Sequence, residues 1–474
     1  MAEAIGGGAI LSGLFSKLSL LAGTYGQGYM AIRRQRDYQK LIELQNTKLH
    51  KLIDFAVRNT TYYRETFENA GISPDRIVRS EDLVNVPFLT KQDLRNHMWD
   101  ILPANLPECR VNLTSGSTGS PVCILSDWQS RCLNSAAVIR SRKAWGMGLV
   151  GRAIVTPART AGEPYNRPPH WTFLQGMHKT YYINPYIDSA ENRDHAANVL
   201  RKLRQPALIG LTTAVKHLAY RVKDGGFPRF RPHIVVTMGE VLSTEVRHLL
   251  ATTFETDIVD VYACTETGDI AWQCRQGLGY HMNIDNVVVE LLKGGQPASD
   301  GEVGEVVVTN LNRYAMPIIR YKTGDLARVV HKECGCGCRL PLIAEILGRT
   351  GQDIVLPDGS ILPWNQLRNS INHPYIRAFQ IVQDADGALT VKYVKEPGTD
   401  QTAVEDLITK RYKKVVGSSL DVTATQVQHI EPAASGKHEI VISHFILKPG
   451  HRRQMVASAD TQTEKVELGH PPSQ

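Results

Sequence analysis

Five short apolar runs, "RAIVTP", "KTYYIN", "PALIGL", "HIVVTM" and "DIVDVY", recur between residues 152 and 262. Runs rich in β-branched and aromatic residues, without polar alternation, read as strands buried on both faces. Between the later runs, "TAVKHLAYRVKD" and "STEVRHLLATTF" repeat apolar residues at helical spacing. Ser243 or Thr244 is placed to cap the second of these helices. Alternation of this kind predicts an α/β fold in which helices cover a parallel sheet, and such sheets hold ligands at the carboxyl ends of their strands.

The unusual residues fall at those ends. "HIVVTM" runs into Gly239-Glu240, and "DIVDVY" runs into "ACTETG". Upstream, about Tyr38 to His97 reads as helical, broken by Pro74 and Pro87. The chain's 474 residues are 42% hydrophobic, enough for a large core and two or more domains. Texture changes near "LGRTGQD". The expected division is a large domain over 1–347, a small α+β domain over 348–447 and a disordered tail over 448–474.

The first residues, "MAEAIGGGAILSGLFSKLSLLAG", contain Glu3 and Lys17 and are too short an apolar run for an integral membrane span. A helix lying on the body is the expectation, with a membrane-surface helix as the second reading. The formal charge of +7 is spread along the chain, which favours anionic ligands without a basic block for nucleic acid. Eight cysteines in this length make no disulfide scaffold and suit a reducing, cytoplasmic compartment.

"LTSGSTGSPV" puts two glycines and five hydroxylated residues into ten positions, between a short apolar strand and an expected helix. Successive glycines let backbone N–H groups converge, and hydroxyls add donors, so the loop can cradle a phosphate. It lacks the Gly-Lys-Ser/Thr ending of a Walker loop.

Taken in order, "TSGSTGSP", "GE", "YACTETG", "IIRYKTGD", "LGRTGQD" and "SGK" resemble the adenylate-forming superfamily of acyl-CoA ligases. The texture is similar to its phenylacetate–CoA ligase branch, from roughly Asp37 to Leu447. The resemblance implies a large adenylate-forming domain with helix-covered β-sheets and a small mobile α+β domain. It implies that Thr114, Ser115, Gly116, Ser117, Thr118 and Gly119 wrap the phosphates of ATP. Ser120 stands where the family commonly has lysine. Tyr262 would flank the adenine, Thr265 would reach the α-phosphate and Glu266 would hold Mg²⁺, a cation that prefers oxygen ligands. Ala263 replaces a usual glycine. Gly239 and Glu240 match the segment beside the purine and acyl pocket, Asp325 the ribose-binding carboxylate, and Arg349 the arginine near ribose and phosphate. Gln352 or Asp353 would be the hinge. Lys437, singly an ordinary surface lysine, matches the lysine that neutralises the reacting carboxylate.

The cysteines in "ECGCGCRLP" have a spacing suited to a metal or to free thiols. Cys274 and His281 upstream, with Cys334 and Cys336, could fill a closed tetrahedral Zn²⁺ site, and relatives carry a similar set. Cys338 could replace either neighbour, and buried free thiols are the competing reading.

The implied reaction joins a small-molecule carboxylic acid to AMP and then passes the acyl group to a thiol, coenzyme A in the nearest relatives. Three rivals stay open: transfer to an amine, hydroxyl or carrier protein; nucleotidyl transfer to a coenzyme; and an inactive nucleotide-binding scaffold. A homodimer is compatible with all of them.

Overall fold

The computed structural model describes residues 22–114, 122–156, 168–173, 177–349, 354–356, 360–362, 367, 371, 373, 375–416, 420–431, 440–445 and 454–455. The chain divides into two compact units, one built on residues 1–350 and the other on 351–430 with the stretch from 440 onward.

In the first unit a hairpin of β1 (Cys109–Leu113) and β2 (Cys123–Asp127) precedes the main sheet. That sheet begins with β3 (Val150–Thr156), β4 (His170–Thr172), β5 (Met177–Tyr182), β6 (Ala207–Leu211), β7 (Ile234–Met238), β8 (Ile258–Cys264) and β9 (Gly268–Gln273). It continues through β10 (Tyr280–Met282), β11 (Val287–Lys293), β12 (Gln296–Pro297), β13 (Val303–Asn310), β14 (Tyr321–Val330) and β15 (Leu342–Arg349). Their spatial order is β12-β11-β13-β14-β15-β10-β9-β8-β7-β6-β3-β5-β4.

The five apolar runs are β3, β5, β6, β7 and β8, and they pair in parallel. Helices Ala190–Lys202, Thr212–Lys223 and Thr244–Phe254 pack on one face of these strands, around Ile154, Leu208, Val235, Leu218 and Leu250. The Ser243 hydroxyl accepts from the Val246 amide at 3.3 Å and starts the last of these helices. From β9 onward the sheet is antiparallel. Connection length explains the switch: β9 begins at Gly268, directly after the short turn that follows Cys264, whereas a parallel return needs a dozen or more residues.

One expectation needs correcting. The glycine-rich loop leads into strand β2, and the helix Trp128–Ala144 starts only after it, capped by Asp127. The run "VCILSD" pairs with β1 in the register Leu113↔Cys123, so the loop closes a hairpin.

In the second unit, β16 (Ile354–Val355), β17 (Ser360–Leu362), β18 (Ile376–Gln383), β19 (Leu389–Lys395), β20 (Val422–Gln426), β21 (Val441–Ser443) and β22 (Gln454–Met455) form two sheets. The larger runs β20-β19-β18-β21, and helix Gln401–Val416 turns Val404, Ile408, Tyr412 and Val416 into the core at helical spacing. The tail expected from 448 is therefore not wholly irregular, because Gln454–Met455 pairs along β17 and covers its open edge. Residues 456–474 and the N-terminal residues 1–21 lie outside the described residues. Among the described residues no helix is long and apolar enough to cross a membrane.

Candidate functional site

The carboxyl end of β8 and the start of β14 supply the polar centre. Tyr262 is buried near the end of β8, and its hydroxyl donates to Asp325 Oδ2 at 2.8 Å. Burial pushes this phenol well above its ordinary value, with the Asp325 charge adding to the effect, so the bond has a neutral donor at any physiological pH. The Thr323 hydroxyl lies 3.4 Å from the Tyr262 oxygen and accepts from the Asp325 amide at 3.1 Å, which fixes the "TGD" turn. On the neighbouring strand, register places Arg349 opposite Asp325, with Nε 3.4 Å from Oδ1. Burial works against the Arg349 charge, but Asp325 and then Glu266 outweigh it and hold the guanidinium protonated.

Glu266 sits in the short turn between β8 and β9, buried, with Oε1 accepting from the Tyr321 hydroxyl at 3.0 Å. Among the described residues this is its one hydrogen-bond donor, which leaves Oε2 open to a hard cation. Thr265 beside it is exposed, and its carbonyl accepts from Arg313 at 3.5 Å. Arg313 also donates to the Leu125 carbonyl on β2 at 2.9 Å. The hairpin bearing the glycine loop is thereby tied to the Glu266 turn.

At the loop's base, Thr114 and Val122 exchange backbone and side-chain bonds at 3.0 and 2.9 Å. Ser115, Gly116, Ser117, Thr118 and Gly119 lie outside the described residues, as do Gln352, Asp353 and Lys437.

Gly239 follows β7 with φ +76°, the left-handed region that suits glycine. The next carboxylate is engaged locally. Glu240 Oε2 accepts from the Thr213 amide at 2.7 Å and satisfies the start of helix Thr212–Lys223.

Sequence reasoning missed two members. Tyr321 lies within "IIRYKTGD" and has no role evident from its position there, yet it carries the hydrogen bond to Glu266. Lys91 stands outside every motif. Leu89 bridges in parallel to Tyr321, with its amide and carbonyl bonded to Arg320 and Lys322. Half-buried Lys91 therefore begins its helix close enough to feel the charges of Glu266 and Arg349. Burial lowers its ammonium, and Glu266 opposes that shift. The signal is faint in sequence because a "TK" pair before a short helix reads only as an N-cap.

Away from this centre, Cys274, His281, Cys334 and Cys336 bring their ligand atoms within 4.8 Å of one another. The Cys274 and Cys334 sulfurs are 3.5 Å apart, and Cys336 Sγ lies 3.4 Å from His281 Nε2. Tetrahedral zinc with ordinary thiolate and imidazole bonds spaces its ligands by about 3.3–3.8 Å. His281 Nδ1 faces the Leu340 carbonyl at 3.4 Å, which orients Nε2 toward the sulfurs. Cys338, buried, turns instead toward Gln35.

Residues 354–444 match the family model of the CapK C-terminal domain. A phenylacetate–coenzyme A ligase of Thermus thermophilus is 24% identical over 69% of this chain and 74% of its own length. The Escherichia coli phenylacetate–coenzyme A ligase is 24% identical over 84% of this chain and 93% of its own. Protein CapK of Staphylococcus aureus is 22% identical over 63% and 65% respectively. Among solved structures, a 2-hydroxyisobutyryl-CoA ligase in its postadenylation state shares the fold at TM-score 0.68 and 16% identity, over 85% of this chain and 89% of that one. The chain is thus similar to phenylacetate–coenzyme A ligases and to protein CapK, and it shares its fold with a solved acyl-CoA ligase.

Proposed function

We propose that the chain activates a carboxylic acid with ATP as an acyl adenylate and transfers the acyl group to the thiol of coenzyme A. The observation that carries this reading is the convergence of Tyr262, Asp325 and Arg349 beside the pair Glu266–Tyr321. These residues come from separate segments whose order along the chain is that of the superfamily.

In this reading Asp325 accepts the ribose hydroxyls, since a carboxylate offers two acceptor oxygens held by one rigid turn. Tyr262 positions Asp325 and flanks the adenine, with Gly239 giving the backbone room beside the purine. The loop Thr114–Gly119 donates to the triphosphate. Thr265 presents its hydroxyl to the α-phosphate, where charge develops as the acid's carboxylate attacks. Glu266 would hold magnesium, which when bound neutralises phosphate oxygens and favours in-line displacement. Lys91 supplies the cation that the loop lacks at Ser120, and Arg349 and Lys437 add positive charge around the reacting groups.

The unit over 348–447 acts as a lid that reorients about 348–353 between the two half-reactions. Cys274, His281, Cys334 and Cys336 hold a structural zinc that clamps the cysteine-bearing loop to the sheet. Reduced thiols, ATP and coenzyme A make the cytoplasm the site of action, with no nucleic-acid partner. A homodimer is compatible with this chemistry.

The test is pyrophosphate release from ATP and Mg²⁺ across a panel of aryl and alkyl acids, with and without coenzyme A. Turnover that needs both an acid and coenzyme A supports the reading. Release without coenzyme A but with an amine or carrier acceptor favours the other acyl-transfer chemistry, and no release with any acid removes the enzymatic reading.

A further inference from the structure

The amino ends of β3 and β5, with the carboxyl end of the antiparallel β4, carry a solvent-facing strip that none of the roles above uses. Val150 lies opposite Met177, and Arg152 lies opposite Lys179, which in turn pairs with Trp171. Alternate residues of a strand share a face, so these side chains and Phe173, one pair further along, project from the same side of the sheet. Farther up that side, Ile154 is covered by helices Ala190–Lys202 and Thr212–Lys223. The strip is not covered: Val150 is 59% exposed, Trp171 and Phe173 48% each, and Met177 38%. Apolar area of this kind is unfavourable in water and marks an interaction surface.

Surrounding charge identifies the partner. Arg152 and Lys179 lie within the strip. Helix Ala190–Lys202 ends in Arg201 and Lys202, Arg204 follows, and the chain enters β6 at Ala207 opposite Ala153. These three cations therefore sit at the same end of the sheet. Among the described residues none of the five forms an ion pair. Aromatic and aliphatic side chains ringed by uncompensated Lys and Arg match the headgroup region of an anionic bilayer, where rings sit at the interface and cations meet phosphates. The Tyr25 hydroxyl donates to the Phe173 carbonyl at 2.5 Å.

We infer that this face docks on an anionic lipid surface, with Val150, Trp171, Phe173 and Met177 at the interface and the five cations on the headgroups. The full chain should co-sediment with vesicles of phosphatidylcholine and phosphatidylglycerol in equal parts, remain in solution with phosphatidylcholine alone, and be released by salt. Each basic side chain near such a surface is worth about a fivefold change in partition. The double variant Arg201→Glu, Arg204→Glu should lower binding at least about twenty-fivefold. Trp171→Ser with Phe173→Ser should lower it by about tenfold, relying on apolar burial instead of charge. Both should keep the parent's melting temperature, and Arg58→Glu, on the exposed face of helix Tyr38–Asn59, should bind vesicles like the parent. Equal binding to both vesicle types, or to neither, overturns the inference. So does undiminished binding by both strip variants, which would assign lipid contact to the residues before 22, or self-association through this face with no lipid binding.

Discussion

The Tyr262 hydroxyl donates to Asp325 Oδ2 at 2.8 Å and joins β8 to β14, strands that are not neighbours in the sheet. The two meet because the antiparallel half closes over a shared core that includes Tyr262, Tyr280, Val306 and Ala327. Removing the donor leaves a buried carboxylate oxygen short of a partner, a loss of about 1–3 kcal/mol. Tyr262→Phe should therefore lower the melting temperature by a few degrees and raise the KM for ATP about tenfold. Unchanged values in both measurements would remove Tyr262 as the residue that positions Asp325.

The Glu266 carboxylate is near enough for its charge to act on the half-buried Lys91 ammonium. Glu266→Gln should cut kcat about a hundredfold and shift the magnesium requirement upward, with the fold intact by circular dichroism. Lys91→Met should lower kcat more than it changes the KM for the acid, since its charge faces the phosphates in the proposed reaction. A Glu266→Gln enzyme with parental magnesium dependence would show that the cation is held elsewhere.

The cysteine cluster should hold one zinc per chain by elemental analysis. Cys274→Ser should lose the metal and destabilise the first unit by several degrees, whereas Cys338→Ser, whose sulfur faces Gln35, should keep it. Metal retained by Cys274→Ser but lost from Cys338→Ser would reverse the ligand assignment.

Asp260 gives the stability a pH dependence. Its carboxyl is buried and accepts from Thr237 at 2.6 Å and from Tyr280 at 2.8 Å. Burial raises it to about 7 against the lowering effect of those bonds. The folded state therefore binds this proton more tightly than the unfolded chain, so its stabilising contribution is complete below the ordinary carboxylate range. It is lost as pH rises toward 7 and through it, at up to about 1.4 kcal/mol per pH unit. Denaturant titrations should show this decline between pH 5 and 7 in the parent and a flatter profile in Asp260→Asn. Parallel profiles would place the titration on another group.

Much of this is legible in the sequence. The apolar runs from "RAIVTP" to "DIVDVY" announce β3 and β5 to β8 because strands buried on both faces need no polar alternation. The antiparallel half is harder to read, since strand direction depends on connection length, as at the short turn after Cys264, more than on composition. β2 resembles the start of a helix because "VCILSD" is too short for periodicity to separate the two states. The Cys/His cluster is legible from residue type, and the structure brings Cys336 to it and turns Cys338 elsewhere. Glu240 shows the opposite case, a motif carboxylate whose visible role is to satisfy the start of a helix.

The central claim is that this chain makes an acyl adenylate around the Tyr262–Asp325–Arg349 centre. Acid-dependent exchange of labelled pyrophosphate into ATP, measured without any acceptor, isolates that step. The account predicts exchange in the parent with at least one carboxylic acid, and a drop of about a hundredfold in Asp325→Ala at unchanged fold. Exchange in Asp325→Ala at the parental rate, or none in the parent with any acid, would contradict it.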